Sequence, residues 1–377
     1  MEEILNVSKA ARRIKKAVKN GERIVLFSDS DMDGISSLLI LQDAIEELGG
    51  KVSHVAFSNR ERDGYGMALS VLKGFRAHCP ALIVLTDLGI GNVKEIQEAR
   101  RLGFDVIVID HHEILGELPP ANVIVNPKQP QDSYGFKTLA ACGLAMKVGE
   151  KITGGKARER MAELALLGTI ADRMPLEHDN MEIVRMGLGA ICSSPRPGIV
   201  VLREKHDFCS SEPTAEKLDY PIAILNTRDK DADVPGGYYV LRAKTEEEAK
   251  RHILRLERKL VSKEKEVQRV AQEVRERVGN KPKALIFEEV KVSDFVLLGS
   301  IANILTREFD VPVFLCKRKV GVSVGSARSP GSFHIVEAMT RCKELLESFG
   351  GHPGAAGFRL KNMNIAKFKE CLTRQHI

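Results

Sequence analysis

Short apolar runs that alternate with helical patterns dominate the first third of the sequence. Residues 23–28 and 81–86 are the clearest runs, and residues 35–48 between them carry apolar side chains at helical spacing. Further strands are predicted at residues 52–57, 106–109 and 123–125, and a further helix at residues 92–101. Because these runs are apolar throughout and are separated by helices, they predict a parallel sheet covered by helices on both faces.

The rest of the chain indicates a second, smaller unit. Residues 136–191 are mainly helical in pattern, and residues 245–278 contain no Gly or Pro and predict one long charged helix. Strand and helix patterns then resume after Pro282. We therefore predict an α/β protein in which a long helix joins an N-terminal parallel-sheet domain to a smaller C-terminal α/β domain. The predicted boundaries are 1–205 for the first domain, 206–280 for a connector that ends in the long helix, and 281–377 for the last domain.

Composition narrows the class of protein. Apolar residues make up 43% and charged residues 29% of the chain, which excludes a disordered or collagen-like protein. No apolar run approaches the ~18 residues of a membrane helix, and the N-terminus lacks the features of a signal peptide. The net charge of +6 permits a polyanionic partner.

Seven scattered cysteines without a C-x-x-C pair predict neither a disulfide framework nor a zinc finger, and they favour a cytoplasmic location. The lack of Trp and the high charge favour a thermophilic source.

Acidic and histidine side chains follow three of the predicted strands at the points where the strands end. The carboxyl ends of parallel strands share one edge of a sheet, where ligands bind, so we expect these side chains to converge. Repulsion among so many carboxylates is tolerable only with cations between them. Oxygen ligands with one or two histidines favour manganese, magnesium or iron over zinc, and the number of carboxylates predicts two ions. Two ions about 4 Å apart are the usual device for displacement at phosphorus. The residues are Asp29, Asp31, Asp33, Asp87, Asp110, His111 and His112.

Each cluster also has a simpler interpretation. The run that begins at Asp29 can be a calcium loop or a solvated turn, although an EF-hand needs Glu at loop position 12, where this sequence has Ile40. Asp87 can be a turn residue, and His111 with His112 can be a surface pair. The joint occurrence of three clusters at three strand ends favours the metal site.

One further acid lies outside these clusters. Asp172 is in the otherwise apolar helical stretch 164–174, where a carboxylate is costly unless it is paired or bound to a metal. A cap at the end of the helix, facing solvent, explains it equally well.

Taken together, these residues resemble the DHH phosphoesterase superfamily. The first domain carries four motif-like segments, and the second carries the signature of the DHH-associated C-terminal domain. The similarity extends from about residue 20 to 360. The segments are SDSDMDG, LTDLGIG, VIDHH and GTIADRMPL in the first domain, and GSIANILTREF, SARS and GGHPGAAGF in the second, with ILNTRDKD before the long helix.

The resemblance implies a RecJ-like single-strand exonuclease, similar to the short archaeal members. Bacterial RecJ carries an additional C-terminal OB-fold, which we do not expect in a chain of this length. Phe27 and Ser28 stand where oligoribonuclease-type members place a His, which also favours the RecJ branch. The implied metal ligands are Asp29, Asp31, Asp33, Asp87, His111 and Asp172, with Asp87 bridging two ions. Asp33, Asp87, Asp110, His111 and His112 form the implied catalytic set. Within this set, His112 contacts either a phosphate or the residues that bind the metal ions. Asp110 either orients His111 or completes the shell of groups around the ions.

A second set of residues is predicted to hold the substrate. Arg328, beside Ser329 in a predicted loop, suits a phosphate oxygen, although a surface ion pair is the alternative. Gly350 and Gly351 allow close approach of a ligand to the backbone, and His352 can contact a phosphate or stack under a base; a helix-terminating turn is the alternative. Weaker candidates are Asn303 and Arg228. Because aromatic residues make up only 5% of the chain, recognition should depend on phosphates.

These features predict a manganese-dependent or magnesium-dependent exonuclease that acts on single-stranded DNA or RNA and releases 5′-mononucleotides. A metal-activated hydroxide would attack the phosphate. We expect a role in DNA repair or replication, with a helicase or replication complex as a partner and no membrane association. Two alternatives stay open: a phosphodiesterase for short RNA or cyclic dinucleotides, and a non-catalytic replication scaffold. The choice between DNA and RNA, the polarity of degradation and the oligomeric state are not determined.

Overall fold

The computed structural model describes residues 3–59, 66–210, 212–228, 232–279, 284–331 and 333–374. The chain divides into two compact units, Met1–Arg258 and Lys259–Ile377. Both units are α/β, as the sequence predicts. The three-part division at residues 205 and 280 stays a prediction.

The first unit begins with alternating helices and strands and ends in a series of helices. Its first part contains α1 (Val7–Lys19), β1 (Arg23–Ser28), α2 (Met32–Glu47), β2 (His54–Phe57), α3 (Leu69–Phe75), β3 (Ala81–Thr86), α4 (Val93–Arg101), β4 (Asp105–Ile109) and β5 (Val123–Val125). Its second part contains α5 (Ala141–Thr153), α6 (Arg158–Ala171), α7 (His178–Ser193), α8 (Pro197–His206), α9 (Asp219–Leu225) and α10 (Gly236–Arg242). The long helix α11 (Glu246–Val278) starts in this unit and continues into the second.

The five strands of the first unit form a parallel sheet in the order β2-β1-β3-β4-β5. This confirms the prediction from the apolar runs. The chain leaves β1 toward β2 on one side and returns to β3 on the other side of β1. The β1–β3 boundary is therefore the point where the direction of winding reverses, and such boundaries are where open parallel sheets bind ligands.

Helices cover both faces of this sheet, which explains why its strands are apolar at every position. On one face, α3 and α4 pack against the sheet through a core that includes Phe27, Phe75 and Ile96. On the other face, α2 packs against α5 and α6, and α1 packs against α5. Helix α2 is buried along most of its length for this reason.

The second unit is built on a mixed sheet. It contains β6 (Ile286–Glu289), α12 (Leu297–Phe309), β7 (Val313–Arg318), β8 (Val322–Arg328), α13 (Ile335–Arg341), β9 (Ser348–His352), β10 (Ala355–Lys361) and α14 (Ile365–Thr373). The strand order is β6-β7-β8-β10-β9, with β6 and β7 parallel and the other pairs antiparallel. The C-terminal half of α11 packs with α12 on one face of this sheet, and a cluster that includes Phe314, Phe358 and Phe368 fills the other.

Two sequence-based expectations for the fold are wrong, and so is one alternative that the sequence left open. Cys192 bonds to Cys209 and Cys342 to Cys371, although the cysteine spacing predicts no disulfides. A turn and α8 separate the first pair, and strands β9 and β10 separate the second, so it is the packing of these elements that brings the sulfurs together. Arg328 is the last residue of β8 and not part of a loop. Gly350 to His352 lie in strand β9, where a turn is the predicted alternative.

No helix in the described ranges is long and apolar enough to cross a membrane.

Candidate metal centre and phosphate-binding face

A polar residue follows each of the five strands of the first sheet at its carboxyl end. Backbone hydrogen bonds extend the strand ladder to these residues: Ser58 N to Ser28 O (2.8 Å), Asp87 N to Ile109 O (3.0 Å) and Asp110 N to Val125 O (3.1 Å). The residues therefore lie side by side along one edge. They are, in spatial order, Ser58, Asp29, Asp87, Asp110 and Asn126.

The loop between β1 and α2 and the first turn of α2 supply the first three aspartates. The carboxylate of Asp29 is buried and accepts hydrogen bonds from the hydroxyl of Ser58 and from the amide of Ser30. Asp31 caps α2, since its Oδ1 accepts a hydrogen bond from the amide of Gly34 at 3.2 Å. Asp33 lies in the first turn of α2 and is 3% exposed.

The carboxylate of Asp33 is fixed by the beginning of another helix. It accepts hydrogen bonds from the amides of Ala141 and Cys142, each at 2.8 Å, in the first turn of α5. Free amides and the helix dipole make this a favourable place for a negative charge. Gly168 of α6 completes the contact, since a Cβ there would lie 2.9 Å from Asp33 Oδ1 and 2.6 Å from Cys142 Sγ. Burial nonetheless raises the pKa of Asp33.

Asp87 lies at the centre of the site. It follows β3 with a φ of +58°, which is unusual for a residue with a side chain, and it is 2% exposed. Burial, followed by the charges of Asp33 and Asp31, raises the pKa of Asp87 well above its ordinary value. The strained backbone and the unfavourable charge indicate a position that is kept for function.

Asp110 holds His112 and not His111. Its Oδ1 is 2.8 Å from His112 Nδ1, and its Oδ2 accepts a hydrogen bond from the amide of Ile90 at 2.9 Å. Burial by itself raises the pKa of Asp110, but the contacts with His112 prevail and keep it below the ordinary value. Burial likewise works against the charged form of His112, yet the same contact raises its pKa. Of the two roles expected for Asp110, orientation of His111 is therefore wrong, and completion of the ligand shell stays a prediction.

His111 faces three carboxylates from three different elements. Its Nε2 lies 3.4 Å from Asp87 Oδ1, 3.5 Å from Asp172 Oδ2 and 3.8 Å from Asp33 Oδ2. Burial lowers the pKa of His111, which favours the neutral ring that metal ions bind. The ring and the three carboxylates thus surround a common position.

Asp172 combines both interpretations that the sequence left open. It is the C-cap of α6, and its side chain is 36% exposed. Its carboxylate nevertheless points to His111. Burial, followed by the charges of Asp33 and Asp31, raises the pKa of Asp172 to about 7.

These side chains form three overlapping groups, and within each group the ligand atoms lie within 4.8 Å of one another. Each group joins residues from at least two strand ends or from a strand end and a helix. Carboxylate oxygens, joined in two of the groups by one or two imidazole nitrogens, suit manganese or magnesium. The groups are Asp29, Asp31 and Asp87; Asp33, His111 and Asp172; and Asp87, His111 and His112.

Two basic side chains within the described ranges lie at this acidic edge. Arg228, from the segment after α9, has its Nη2 3.9 Å from Asp31 Oδ2. Lys128, just beyond β5, forms an ion pair with Glu113 at 2.8 Å, and its charge also acts on His111 and Asp172. The sequence analysis named Arg228 as a weak candidate and did not name Lys128.

Sequence reasoning also missed two neutral residues at strand ends. The hydroxyl of Ser58 donates to Asp29, as described above. Asn126 is fully buried, and its Nδ2 donates to the carbonyl of His112 at 3.0 Å, which fixes the backbone of the histidine pair. Both residues follow strands directly, so the rule that found the aspartates would have found them if it had included neutral polar residues.

In the second unit, Arg328 is half-buried beside hydrogen-bond acceptors only. Its Nη1 donates to Ser326 Oγ at 3.0 Å and to the carbonyl of Ala327 at 2.8 Å. Burial lowers the pKa of Arg328, and no described acidic group counteracts this effect. Gly299 of α12 makes room for the guanidinium, since a Cβ there would lie 2.8 Å from Nη2. This environment suits an anionic ligand.

Strand register places other predicted residues on the same face of the sheet. Arg328 of β8 pairs with Ala355 of β10, and Ala355 pairs with His352 of β9. Gly357 likewise pairs with Ser326 and with Gly350. Because directly paired residues share a face, Arg328 and His352 lie about 10 Å apart, two strand spacings, with only small side chains between them. We call this surface the β8–β9 face.

The remaining predicted residues have different environments. Asn303 lies on α12 one turn after Gly299, so it is on the helix side that approaches Arg328. The hydroxyl of Ser329 donates to the carbonyl of Phe333 at 2.7 Å and so supports the local turn. Gly351 has a φ of +146°, and a Cβ there would lie 2.3 Å from the carbonyl oxygen of Ala355.

Comparison with known families covers both candidate sites. Residues 23–169 match the N-terminal domain of the DHH family, and residues 283–375 match the DHHA1 domain. The first match contains the strand-end residues from Asp29 to Asn126, and the second contains the β8–β9 face.

Similar proteins include several single-stranded-DNA-specific exonucleases named RecJ. RecJ of Bacillus subtilis (strain 168) is 30% identical over 376 residues, which cover 98% of this chain and 48% of that protein. RecJ of Escherichia coli (strain K12) is 27% identical over 397 residues, which cover 98% of this chain and 69% of that protein. The chain thus spans about half the length of the Bacillus relative.

The fold also has a close counterpart among solved structures. A crystal structure of exonuclease RecJ bound to manganese superposes with a TM-score of 0.85 at 24% identity, and the match covers all of this chain and 95% of that one. This likeness establishes the fold of the whole chain.

Proposed function

This chain belongs to the DHH family and combines its N-terminal domain with a DHHA1 domain, and from that premise we propose that it is a divalent-metal-dependent single-strand exonuclease. In this proposal it hydrolyses phosphodiester bonds in the manner of RecJ and releases 5′-mononucleotides. Single-stranded DNA is the favoured substrate because the similar curated proteins are specific for it. RNA stays an alternative substrate.

One observation carries the proposal: carboxylates from three separate segments converge on His111, which lies in a fourth. Nε2 of this ring lies within 3.8 Å of the carboxylates of Asp33, Asp87 and Asp172. The raised pKa values of the three carboxyls show that their charges are poorly compensated by the protein alone. Added positive charge would stabilise the ionised carboxylates, so the cluster is suited to hold cations.

The donor set fits two divalent ions, which we propose to be manganese, with magnesium as the alternative. Asp29, Asp31 and Asp87 would hold one ion, and Asp33, His111 and Asp172 the other, with Asp87 between them. When bound, such ions activate water and withdraw charge from a phosphate. The protein's own part is to fix the ligands, through Ser58 at Asp29 and the α5 amides at Asp33.

His112 and Arg228 have separate roles in this proposal. The contact with Asp110 keeps His112 oriented and favours its protonated form, so that it can donate a hydrogen bond to a phosphate oxygen. Arg228 is close enough to Asp31 to contact a phosphate that reaches the site. In the second unit, Arg328 and His352 on the β8–β9 face would bind further phosphates of the strand.

The proposal is tested by digestion of single strands that carry a label at the 5′ or the 3′ end. We expect the purified protein with manganese to shorten labelled DNA from one end and to release mononucleotides, whereas metal-free protein leaves the strands intact. The choice of label reports the polarity. If metal-loaded protein leaves every strand intact, the proposal is wrong.

Two rival functions predict different outcomes in the same assay. A phosphodiesterase for dinucleotides or cyclic dinucleotides would lose activity as the oligomer becomes longer. A non-catalytic scaffold would bind no metal, which a metal-content measurement detects. The complete set of aspartates and histidines at the site supports the enzyme over the scaffold.

The cellular context is also a proposal. We propose a role in DNA repair or replication, beside a helicase or replication complex, and a cytoplasmic location. Two disulfides are uncommon in cytoplasmic proteins except those of hyperthermophiles, and the composition of this chain favours a thermophilic source. The archaeal origin likewise stays a prediction.

A further inference from the structure

A groove on the outer surface of the first unit has no role in the site described above. It lies between α3 and α4 and has a volume of about 320 Å³. We call it the α3–α4 groove. Its apolar lining is aliphatic and its rim is mainly basic. The apolar lining consists of Leu72, which is buried, with Leu102 and the exposed Leu69, and the rim consists of Lys73, Arg76, Lys94, Glu98 and Arg101.

The rim carries an excess of positive charge. Four of its five charged side chains are basic, and all four are exposed. Within the described ranges, the one ion pair among them joins Arg101 to Glu98 at 2.7 Å. Lys73, Arg76 and Lys94 thus present their charges to solvent on both sides of the groove, an arrangement that attracts a polyanion.

The groove starts at the edge of the sheet that carries the metal centre. Helix α4 begins at the carboxyl end of β3 because it follows that strand. Helix α3 begins at the same edge of the sheet because it runs back along the sheet to the start of β3. At this end the backbone amide of Met67 donates to Asn92 Oδ1 at 3.0 Å, and the amide of Ile90, two residues before Asn92, donates to Asp110. From there the groove runs along α4 for about 14 Å, at 1.5 Å per residue.

The spacing of the cations follows this direction. Lys94 lies near the edge of the sheet that carries the metal centre, which we call the catalytic edge, and Lys73 lies midway along the groove. Arg76 and Arg101 lie near the opposite edge of the sheet. A single strand in the groove would therefore pass basic side chains along its whole course. None of the residues that line the groove is aromatic, so binding would depend on phosphates and not on base stacking.

We propose that the α3–α4 groove binds single-stranded nucleic acid beyond the nucleotides held at the metal centre, so that it lengthens the substrate-binding surface. This inference rests on the proposed function, since it assumes that a strand reaches the catalytic edge. Continuity with that edge favours a nucleic acid over an acidic protein segment, which needs no such continuity.

The test is reversal of two charges, one on each wall, in Lys73→Glu combined with Lys94→Glu. We compare the KM for a long single-stranded oligonucleotide with the KM for a trinucleotide, which is too short to enter the groove. The ratio of the two values should rise about tenfold, and the salt dependence of binding should weaken by about one unit of slope. Thermal melting shows whether the variant is folded, and the Lys73→Gln, Lys94→Gln variant is used if it is not.

A matched control reverses two charges on the opposite face of the sheet. Lys15 and Lys19 are exposed on α1, which packs against α5. Lys15→Glu combined with Lys19→Glu should leave the KM ratio as it is in the wild type. An unchanged ratio in the groove variant, or an equal rise in both variants, would overturn the proposal.

Binding without hydrolysis separates this inference from the proposed function. Fluorescence anisotropy of a labelled oligonucleotide, measured without divalent ions, should show about tenfold weaker binding in the groove variant even if no strand is ever cleaved. If the variant instead binds the oligonucleotide normally but loses binding of a labelled polyglutamate peptide, the groove is a protein-docking surface and the inference is wrong.

Discussion

The two sheets of this protein place functional residues in different ways. In the first, all strands are parallel, and the residues that follow their carboxyl ends meet at one edge. In the second, most strand pairs are antiparallel. Arg328 and His352 share a face there because register puts them in one row across three strands. A parallel sheet thus builds its site at the ends of strands, whereas a mixed sheet builds its site on a face.

The two sites also differ in charge. The metal centre gathers aspartates whose pKa values are raised, so it gains from cations. The β8–β9 face holds a half-buried arginine without a described acidic partner, so it gains from an anion. Under the proposed function, metal ions are the counterparts of the first site and substrate phosphates those of the second. The difference predicts that damage to the first site affects chemistry, and damage to the second affects binding.

The largest effect is expected from Asp87→Asn. This change keeps the shape of the side chain but removes the charge at the centre of the cluster, so kcat for single-strand cleavage should fall about a thousandfold. Manganese binding, measured by calorimetry, should weaken at the same time.

Asp132→Asn is the matched control for this change. Asp132 is also buried in the first unit, but its carboxylate accepts hydrogen bonds from the amides of Leu5 and Tyr134. The control should lower the melting temperature and preserve kcat. Retained cleavage in Asp87→Asn would contradict a central role for Asp87.

An intermediate effect is expected from Arg328→Ala. Loss of the guanidinium should raise KM for a single strand about tenfold, because one charge-assisted phosphate contact is lost, while kcat changes little. Arg328→Lys should recover only part of the loss, since Lys lacks the planar donor pair.

The control for Arg328 is Arg318→Ala on β7. Arg318 is exposed, lies by register on the opposite face of the sheet, and forms an ion pair with Glu289 at 2.6 Å. Its removal should leave KM unchanged. If Arg328→Ala lowers kcat and leaves KM unchanged, the proposal that the first site affects chemistry and the second affects binding is wrong.

The smallest effect concerns the pH dependence of stability without metal. The pKa of Asp172 is raised to about 7 in the folded protein from an ordinary value of 3.8. The folded state therefore holds this proton more tightly than the unfolded state, so stability falls as the pH rises from about 4 to about 7 and then levels off. Melting temperatures in EDTA should show this decline, and saturating manganese should remove it.

The Asp172→Asn variant isolates the contribution of this carboxyl. His111 acts in the opposite direction, because burial lowers its pKa and its contribution to stability rises with pH. Because only the wild type carries the Asp172 carboxyl, its melting temperature should fall more steeply between about pH 4 and about pH 7 than that of the variant. Equal slopes for both proteins would show that Asp172 is not responsible.

The metal centre was largely predictable because the strand-end rule needs only the positions of apolar runs. The same rule fits Ser58 and Asn126, which were missed because only charged residues were considered. The partner of Asp110 was not predictable, since His111 and His112 are adjacent in sequence and only the backbone path after β4 decides which ring turns toward it. The disulfides depend in the same way on how neighbouring helices pack.

By itself, the sequence determined the parallel sheet, its acidic edge and the family resemblance, because each depends on local pattern and on motifs that are short in sequence. Only the tertiary structure decided which carboxylates face His111, that the amides of α5 hold Asp33, and that Arg328 and His352 share a face. These contacts join residues far apart in the chain, and their geometry is set by register and helix packing, which no local pattern encodes.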